Sequence, residues 1–148
     1  MRKSLLVVCT MLCSLFDGQA VAQTTMKAEL KSGEQKNQWV LEVSLENEQP
    51  YVAMQMDVDL PDSISETKVQ KSERMQAQTM LSKRMKNGRL RILAYNMTSK
   101  PILGNNGRLL SVLVTAPEWP EGTYMIQNIH LTSPGSKDNA LPDIEIQR

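Results

Sequence analysis

The chain has 148 residues, with 17 Lys and Arg against 16 Asp and Glu, a net charge of +1 and only 4% aromatic residues. A balance this close to neutral argues against a nucleic-acid or anionic-membrane partner held by bulk electrostatics. Both cysteines, Cys9 and Cys13, fall within the first 22 residues, so residues 23–148 carry no thiol for a disulfide, a metal or a nucleophile.

Residues 1–22 read as a secretory signal peptide. Arg2 and Lys3 start it, an uncharged apolar stretch runs from Ser4 to Phe16, and Ala20-Val21-Ala22 has the small–x–small form cut by a signal peptidase, here before Gln23. The apolar stretch is shorter than the about 20 residues a spanning helix needs. A lipoprotein cut at Cys9 or Cys13 would want a small residue before the cysteine, where Val8 and Leu12 stand. No second apolar run of transmembrane length follows. The expectation is an exported mature chain without membrane insertion, in the periplasm, at the cell surface or outside the cell. It would form one domain, residues 23–148, with one core. No dockerin, anchor or sorting tail is read before Arg148, which is expected of a stand-alone domain.

From Thr24 onward, strand signals recur with turns between them. Met26, Ala28 and Leu30 alternate with polar residues, and Lys31-Ser32-Gly33-Glu34 is turn-like. Trp39, Leu41, Val43 and Leu45 alternate in a second strand, which places Trp39 in the core. The pattern is strongest from Tyr51 to Pro61: Val52, Met54, Met56, Val58 and Leu60 against Ala53, Gln55, Asp57 and Asp59. Alternation sends the two sets to opposite faces of one long strand, which Pro61 ends. Asp62-Ser63 turns the chain into a short edge strand over 64–69. Residues 72–85 are compatible with a helical turn or a strand. Asn87-Gly88 is a strong hairpin signal, with positive φ expected at both residues, so Thr79–Met85 is read as extended. Arg89–Tyr95 returns with Leu90, Ile92 and Ala94 on one face. A polar loop follows over 96–107, then an apolar strand over 108–116, a proline-flanked turn around Trp119, and last strands over 124–131 and 144–146. Eight or nine short strands with turns every 8–12 residues indicate an all-β, antiparallel β-sandwich.

Three stretches together resemble the cohesin-like domains of exported bacterial proteins, especially the forms common in gut Bacteroidetes. They are NEQPYVAMQMDVDLPDSI (47–64), NGRLRILAYNMTSKPILGNNGRLLSVLV (87–114) and YMIQNIHLTSPGSKDNALPDIEI (124–146). The resemblance implies a nine-stranded cohesin-like jelly roll related to carbohydrate-binding modules of families 2 and 3. It also implies a flat sheet face, including the third strand, that binds dockerin modules. Cohesins that bind type I dockerins carry an Asn-x-Asp pair on that strand, and the matching positions here are Ala53 and Gln55. The fold is carried over; dockerin recognition is not, since fold does not determine function.

No nucleophile–base–orienter set can be assembled, so no enzyme is expected, and no cofactor is implied. His130 is the only histidine and reads as an ordinary outward residue. Asp57, Asp59 and Asp62 raise the question of a cation, but two carboxylates on a strand lack a wrapping loop, and no metal is assigned. The eight methionines outside the signal peptide could form an adaptable binding surface, but Met54 and Met56 alternate with polar residues and read as core filling in a chain that keeps no phenylalanine.

The expected function is a non-catalytic interaction or assembly module. Its protein-binding face would carry Gln55, Asp57, Asp59, Arg89, Arg91 and Tyr95 and act through a flat sheet or by donating an edge strand. The arginines there either read an acidic partner or pair across strands with Asp57 and Asp59. The partner would be a dockerin-like or other envelope protein. The alternative is a carbohydrate-binding module of a polysaccharide-utilising system. It would use Trp119, either exposed or capping the sandwich end, with Asn96, Asn105 and Asn106.

Overall fold

The computed structural model describes residues 23–64 and 66–148. The proposed signal peptide, residues 1–22, lies outside the described residues, as does Ser65. The chain forms β1 (Thr24–Ser32), β2 (Gln38–Asn47), β3 (Ala53–Val58), β4 (Glu66–Lys71), β5 (Thr79–Arg84), β6 (Leu90–Tyr95), β7 (Arg108–Thr115), β8 (Met125–Ser133), β9 (Lys137–Leu141) and β10 (Ile144–Glu145). A short 3-10 turn at Glu73–Met75 leads into β5. One sheet runs β1-β2-β7-β4 and the other β10-β8-β3-β6-β5, with β9 also paired to β8. All strand pairs are antiparallel, as expected.

Alternation explains which side chains fill the sandwich. In β2, Leu41, Val43 and Leu45 point inward, and Leu90, Ile92 and Ala94 do the same from β6. Met54 and Met56 are buried core members, in keeping with methionine as the large filler. Trp39 packs against the core from its margin and stays half-buried. Two β-bulges break the regular pattern. In the β2–β7 ladder the register slips between Val43 and Ser44, so Leu109 and Leu110 turn inward in succession and both are fully buried. In the β3–β8 ladder, Gln55 faces His130 while Asp57 faces Gln127, leaving Asn128 and Ile129 together opposite Met56. Asn128 takes the left-handed conformation, φ 51°.

Several boundaries differ from expectation. The long Tyr51–Pro61 strand is paired only over Ala53–Val58. Leu60 and Pro61 are still buried, but they follow the end of the ladder. The edge strand begins at Glu66 rather than 64. Thr79–Arg84 is extended as read, yet its turn is not type I′. Only Gly88 has positive φ (87°), and the Gly88 N–H donates to Met85 O (3.0 Å) while the Met85 N–H donates to Arg89 O (2.7 Å). That is a three-residue loop closed by a left-handed glycine. β9, with sequence KDNAL, carries no apolar alternation and is not among the strands the sequence predicts. It forms because the turn after Ser133 returns it to the free edge of β8.

Candidate functional site

The outward face of the β8-β3-β6-β5 sheet collects the residues expected to bind a protein. Register places them in rows across the strands. His130, Gln55, Leu93 and Leu81 form one row, spanning about 14 Å at the usual strand spacing. The next row is Gln127, Asp57, Arg91 and Lys83. Asp59 and Arg89 lie beyond it, and Tyr95, paired with Thr79, lies on the other side.

The ionic half of this face is closed upon itself. Arg91 grips Asp57 in a bidentate pair, Nε to Oδ1 at 2.7 Å and Nη2 to Oδ2 at 2.9 Å. Asn128 Nδ2 donates to the same Oδ2 at 2.8 Å, because the bulge re-aims that residue over the carboxylate. Arg91 holds the Asp57 carboxyl below the usual carboxylate range, with Asn128 helping, although burial pulls the other way. Asp57 in turn raises the Arg91 guanidinium. Arg89 Nε donates to Asp59 Oδ1 at 2.8 Å, and Asp59 Oδ2 accepts from the Met125 N–H at 3.0 Å.

These contacts decide between the two roles expected of the arginines. Asp57 is only 2% exposed, and the carboxylates and arginines pair across strands instead of waiting for an acidic partner. Among the described residues, no group of three His, Cys, Asp or Glu is placed to hold a metal.

The other half of the face is apolar and accessible. Tyr95 and Leu93 are each 36% exposed and Leu81 is 53% exposed. They adjoin a shallow open trough lined by Ala53, Gln55, Thr132 and His130, with Asp138 at its rim. His130 Nδ1 lies 3.0 Å from Asp138 Oδ2. Gln55 and Tyr95 therefore sit where expected, whereas Leu81 and Leu93 were missed. A signal for them exists: once Leu90, Ile92 and Ala94 face inward, Leu93 must face outward, and the hairpin register sets Leu81 opposite it.

The residues expected to hold a sugar are not brought together. Trp119 is 3% exposed, 6.4 Å from Trp39 and 5.3 Å from Tyr124 between ring centroids. It caps the sandwich end and presents no free ring face. The Asn96 side chain is spent on its own loop: Nδ2 donates to Ala77 O, and Oδ1 accepts from the N–H groups of Thr98 and Lys100. Asn105 O accepts from the Asn47 N–H at the end of β2, whereas Trp119 packs near Trp39 at its start. Those two points are about 26 Å apart along the strand. Asn106 is exposed in the same loop as Asn105.

No family profile matches the chain, and no curated protein sequence matches it. Solved structures do match. A non-cellulosomal cohesin from Archaeoglobus fulgidus superposes with a TM-score of 0.57 at 11% identity, covering 84% of this chain and 92% of that one. The sixth cohesin of scaffoldin B from Acetivibrio cellulolyticus, solved with a dockerin, gives 0.58 at 9% identity over 82% and 97%. A cohesin module of a family 33 glycoside hydrolase from Clostridium perfringens gives 0.54 at 14% identity over 87% and 97%. The fold is cohesin-like. Identities this low speak to the fold alone, so the cohesin-like sandwich supplies an architecture, and the site must be judged on its own residues.

Proposed function

We propose that this cohesin-like chain is a non-catalytic interaction module that takes a protein partner on the outward face of β8-β3-β6-β5, centred on Tyr95, Leu93 and Leu81. The carrying observation is the adjacency of these three side chains. Among the described residues they are three of five large apolar side chains left exposed, and they meet on one flat face. Adjacent apolar anchors beside satisfied charges match the anatomy of an interface, a desolvated centre within a polar rim. The Asp57–Arg91 and Asp59–Arg89 pairs are that rim and hold the surface rigid. Cohesin neighbours solved with dockerins support a protein ligand, so a dockerin-like or other envelope protein is the partner class. With Ala53 and Gln55 where type I dockerin-binding cohesins carry Asn and Asp, recognition would rest on apolar contact more than on that polar pair. Export through residues 1–22, and kinship with the Bacteroidetes forms of these domains, belong to the same proposal. No observation favours the carbohydrate reading once Trp119 is buried.

The test is capture from the envelope and secreted fractions of the organism itself. A single protein bound by the full chain, weakened about 30-fold by Leu93→Glu and untouched by Lys31→Glu, is the expected result. Equal capture by Leu93→Glu, or glycan retained in place of protein, would sink it.

A further inference from the structure

Charge is segregated along this chain. Residues 66–108 hold ten Lys and Arg and two carboxylates, Glu66 and Glu73, whereas the rest of residues 23–148 hold five Lys and Arg and thirteen Asp and Glu. The topology turns that sequence bias into a spatial one. β4 ends one sheet beside β7, and β5 ends the other beside β6. Both free edges border the same opening of the sandwich. Val69 and Lys71 from β4 and Thr79, Met80 and Ser82 from β5 line one groove. Lys71 Nζ crosses it to donate to Gln78 O at 2.9 Å.

Three properties of this edge matter together. The first is charge: Lys83 and Lys86 are exposed, and among the described residues neither has a carboxylate within ion-pair distance. Arg84 donates only to carbonyls, those of Gly88 and Pro61. The second is backbone. The Met85 N–H bond to Arg89 O sets the hydrogen-bonding parity of the ladder, so Thr79, Leu81 and Lys83 bond toward β6. The N–H and C=O groups of Met80, Ser82 and Arg84 therefore point away from the sheet. The third is an apolar floor, since Val69 and Met80 are half-buried and packed on the core.

We propose that the β5 edge accepts an acidic segment of a partner protein in extended conformation, added as a further strand above the groove. Main-chain bonds to Met80, Ser82 and Arg84 would supply the ladder. Alternate apolar side chains of the segment would rest on Val69 and Met80, and the intervening carboxylates would meet Lys83 on the outward face of β5 and Lys86 in the adjoining turn. A basic edge repels the same edge of a second copy while remaining open to an acidic strand. A flexible polyanion would use the cations but neither the ladder nor the floor. The edge borders the Tyr95 face and shares Lys83 with its second row, but its ladder and floor use neither Tyr95 nor Leu93, and the inference does not rest on the function proposed for that face.

Fluorescence anisotropy on the full chain tests this with a labelled Glu-Val-Glu-Thr-Glu-Val peptide, its lysine counterpart, hexaglutamate, and a heparin hexasaccharide as competitor. The Glu-Val peptide should bind at least tenfold more tightly than hexaglutamate, and the lysine peptide should not bind. Ser82→Pro removes an edge N–H that β6 does not use and should weaken binding at least tenfold, as should Lys83→Glu combined with Lys86→Glu. Leu93→Glu should change nothing. Should Ser82→Pro fail to fold, N-methylating alternate residues of the peptide tests the ladder without altering the protein, and it should abolish binding. The proposal is overturned if hexaglutamate binds as well as the Glu-Val peptide, if heparin displaces that peptide as well as unlabelled peptide does, or if N-methylation has no effect. It fails equally if no peptide binds at millimolar protein, or if sedimentation shows a dimer that the peptide dissociates, since a second copy then occupies the edge.

Discussion

Arg74 shows how one side chain can hold a loop. Its guanidinium donates to Leu103 O at 2.6 Å, Leu45 O at 2.7 Å, Asn47 Oδ1 at 2.8 Å, Gly107 O at 2.9 Å and Gly104 O at 3.2 Å. All five acceptors are neutral, and burial pushes its pKa down. A planar fork can satisfy that many carbonyls, whereas an ammonium group cannot. Arg74→Lys should therefore cost about 3 kcal/mol in urea unfolding, as hydrogen bonds to a charged donor are lost together. Asp57 makes a pH prediction. Its folded pKa lies below its unfolded value, chiefly because of the Arg91 bond, so its contribution is complete above the unfolded pKa and is lost as pH falls through the folded one. Thermal melts should show stability dropping below about pH 4, the ordinary carboxylate range. Asp57→Asn should be less stable at neutral pH and should flatten that acid limb. An unchanged acid limb would remove Asp57 from the account.

At the scale of elements, turns and bulges decide where side chains land. The β5–β6 turn needs one left-handed residue, and Gly88 supplies it with φ 87°. A Cβ at Gly88 would meet nothing within 4 Å, so Gly88→Ala carries a backbone cost alone. We expect about 1 kcal/mol of lost stability by urea unfolding and no change at the Tyr95 face. A much larger loss would mean the turn also sets the β5 register. The Asn128 bulge has the opposite kind of effect, since it moves a polar side chain onto Asp57 and takes that carboxylate out of water. Loop 96–107 behaves as an ordered element because Arg74, Gln78 and Asn96 each bond to its backbone or bracket it.

Across the whole molecule, the contacts that matter join distant parts of the chain. β3 sits between β6 and β8, and β7 sits between β2 and β4, so neither sheet closes until sequence-remote strands meet. Loop-closure entropy must be overcome before those pairings are rewarded, which places refolding in the slow range typical of all-β sandwiches, roughly milliseconds to seconds. Stopped-flow refolding by tryptophan fluorescence checks this, with Trp39 and Trp119 6.4 Å apart near one end of the sandwich as the probe. Microsecond refolding would contradict it.

Much of this architecture can be read from local order. Alternation in β2, β3 and β6 sets the inward faces because successive side chains on a strand must oppose each other. Asn87-Gly88 marks the hairpin because glycine accepts a left-handed backbone at no steric cost. Other features depend on what a strand meets. Asp57 reads as wet by parity, and only Arg91 across one ladder and Asn128 across the other make its burial tolerable. Trp119, set between two prolines, reads either as an exposed ring or as a cap on the sandwich end, and only Trp39 and Tyr124 packing around it decide for the cap. β9 has no pattern of its own and becomes a strand because β8 offers an unpaired edge. Local order is enough to set the sandwich and the outward residues Gln55, Arg91 and Tyr95, because a two-residue period is a property of the backbone. Tertiary structure alone decided which of those groups stay free, because pairing partners come from strands far away in the chain.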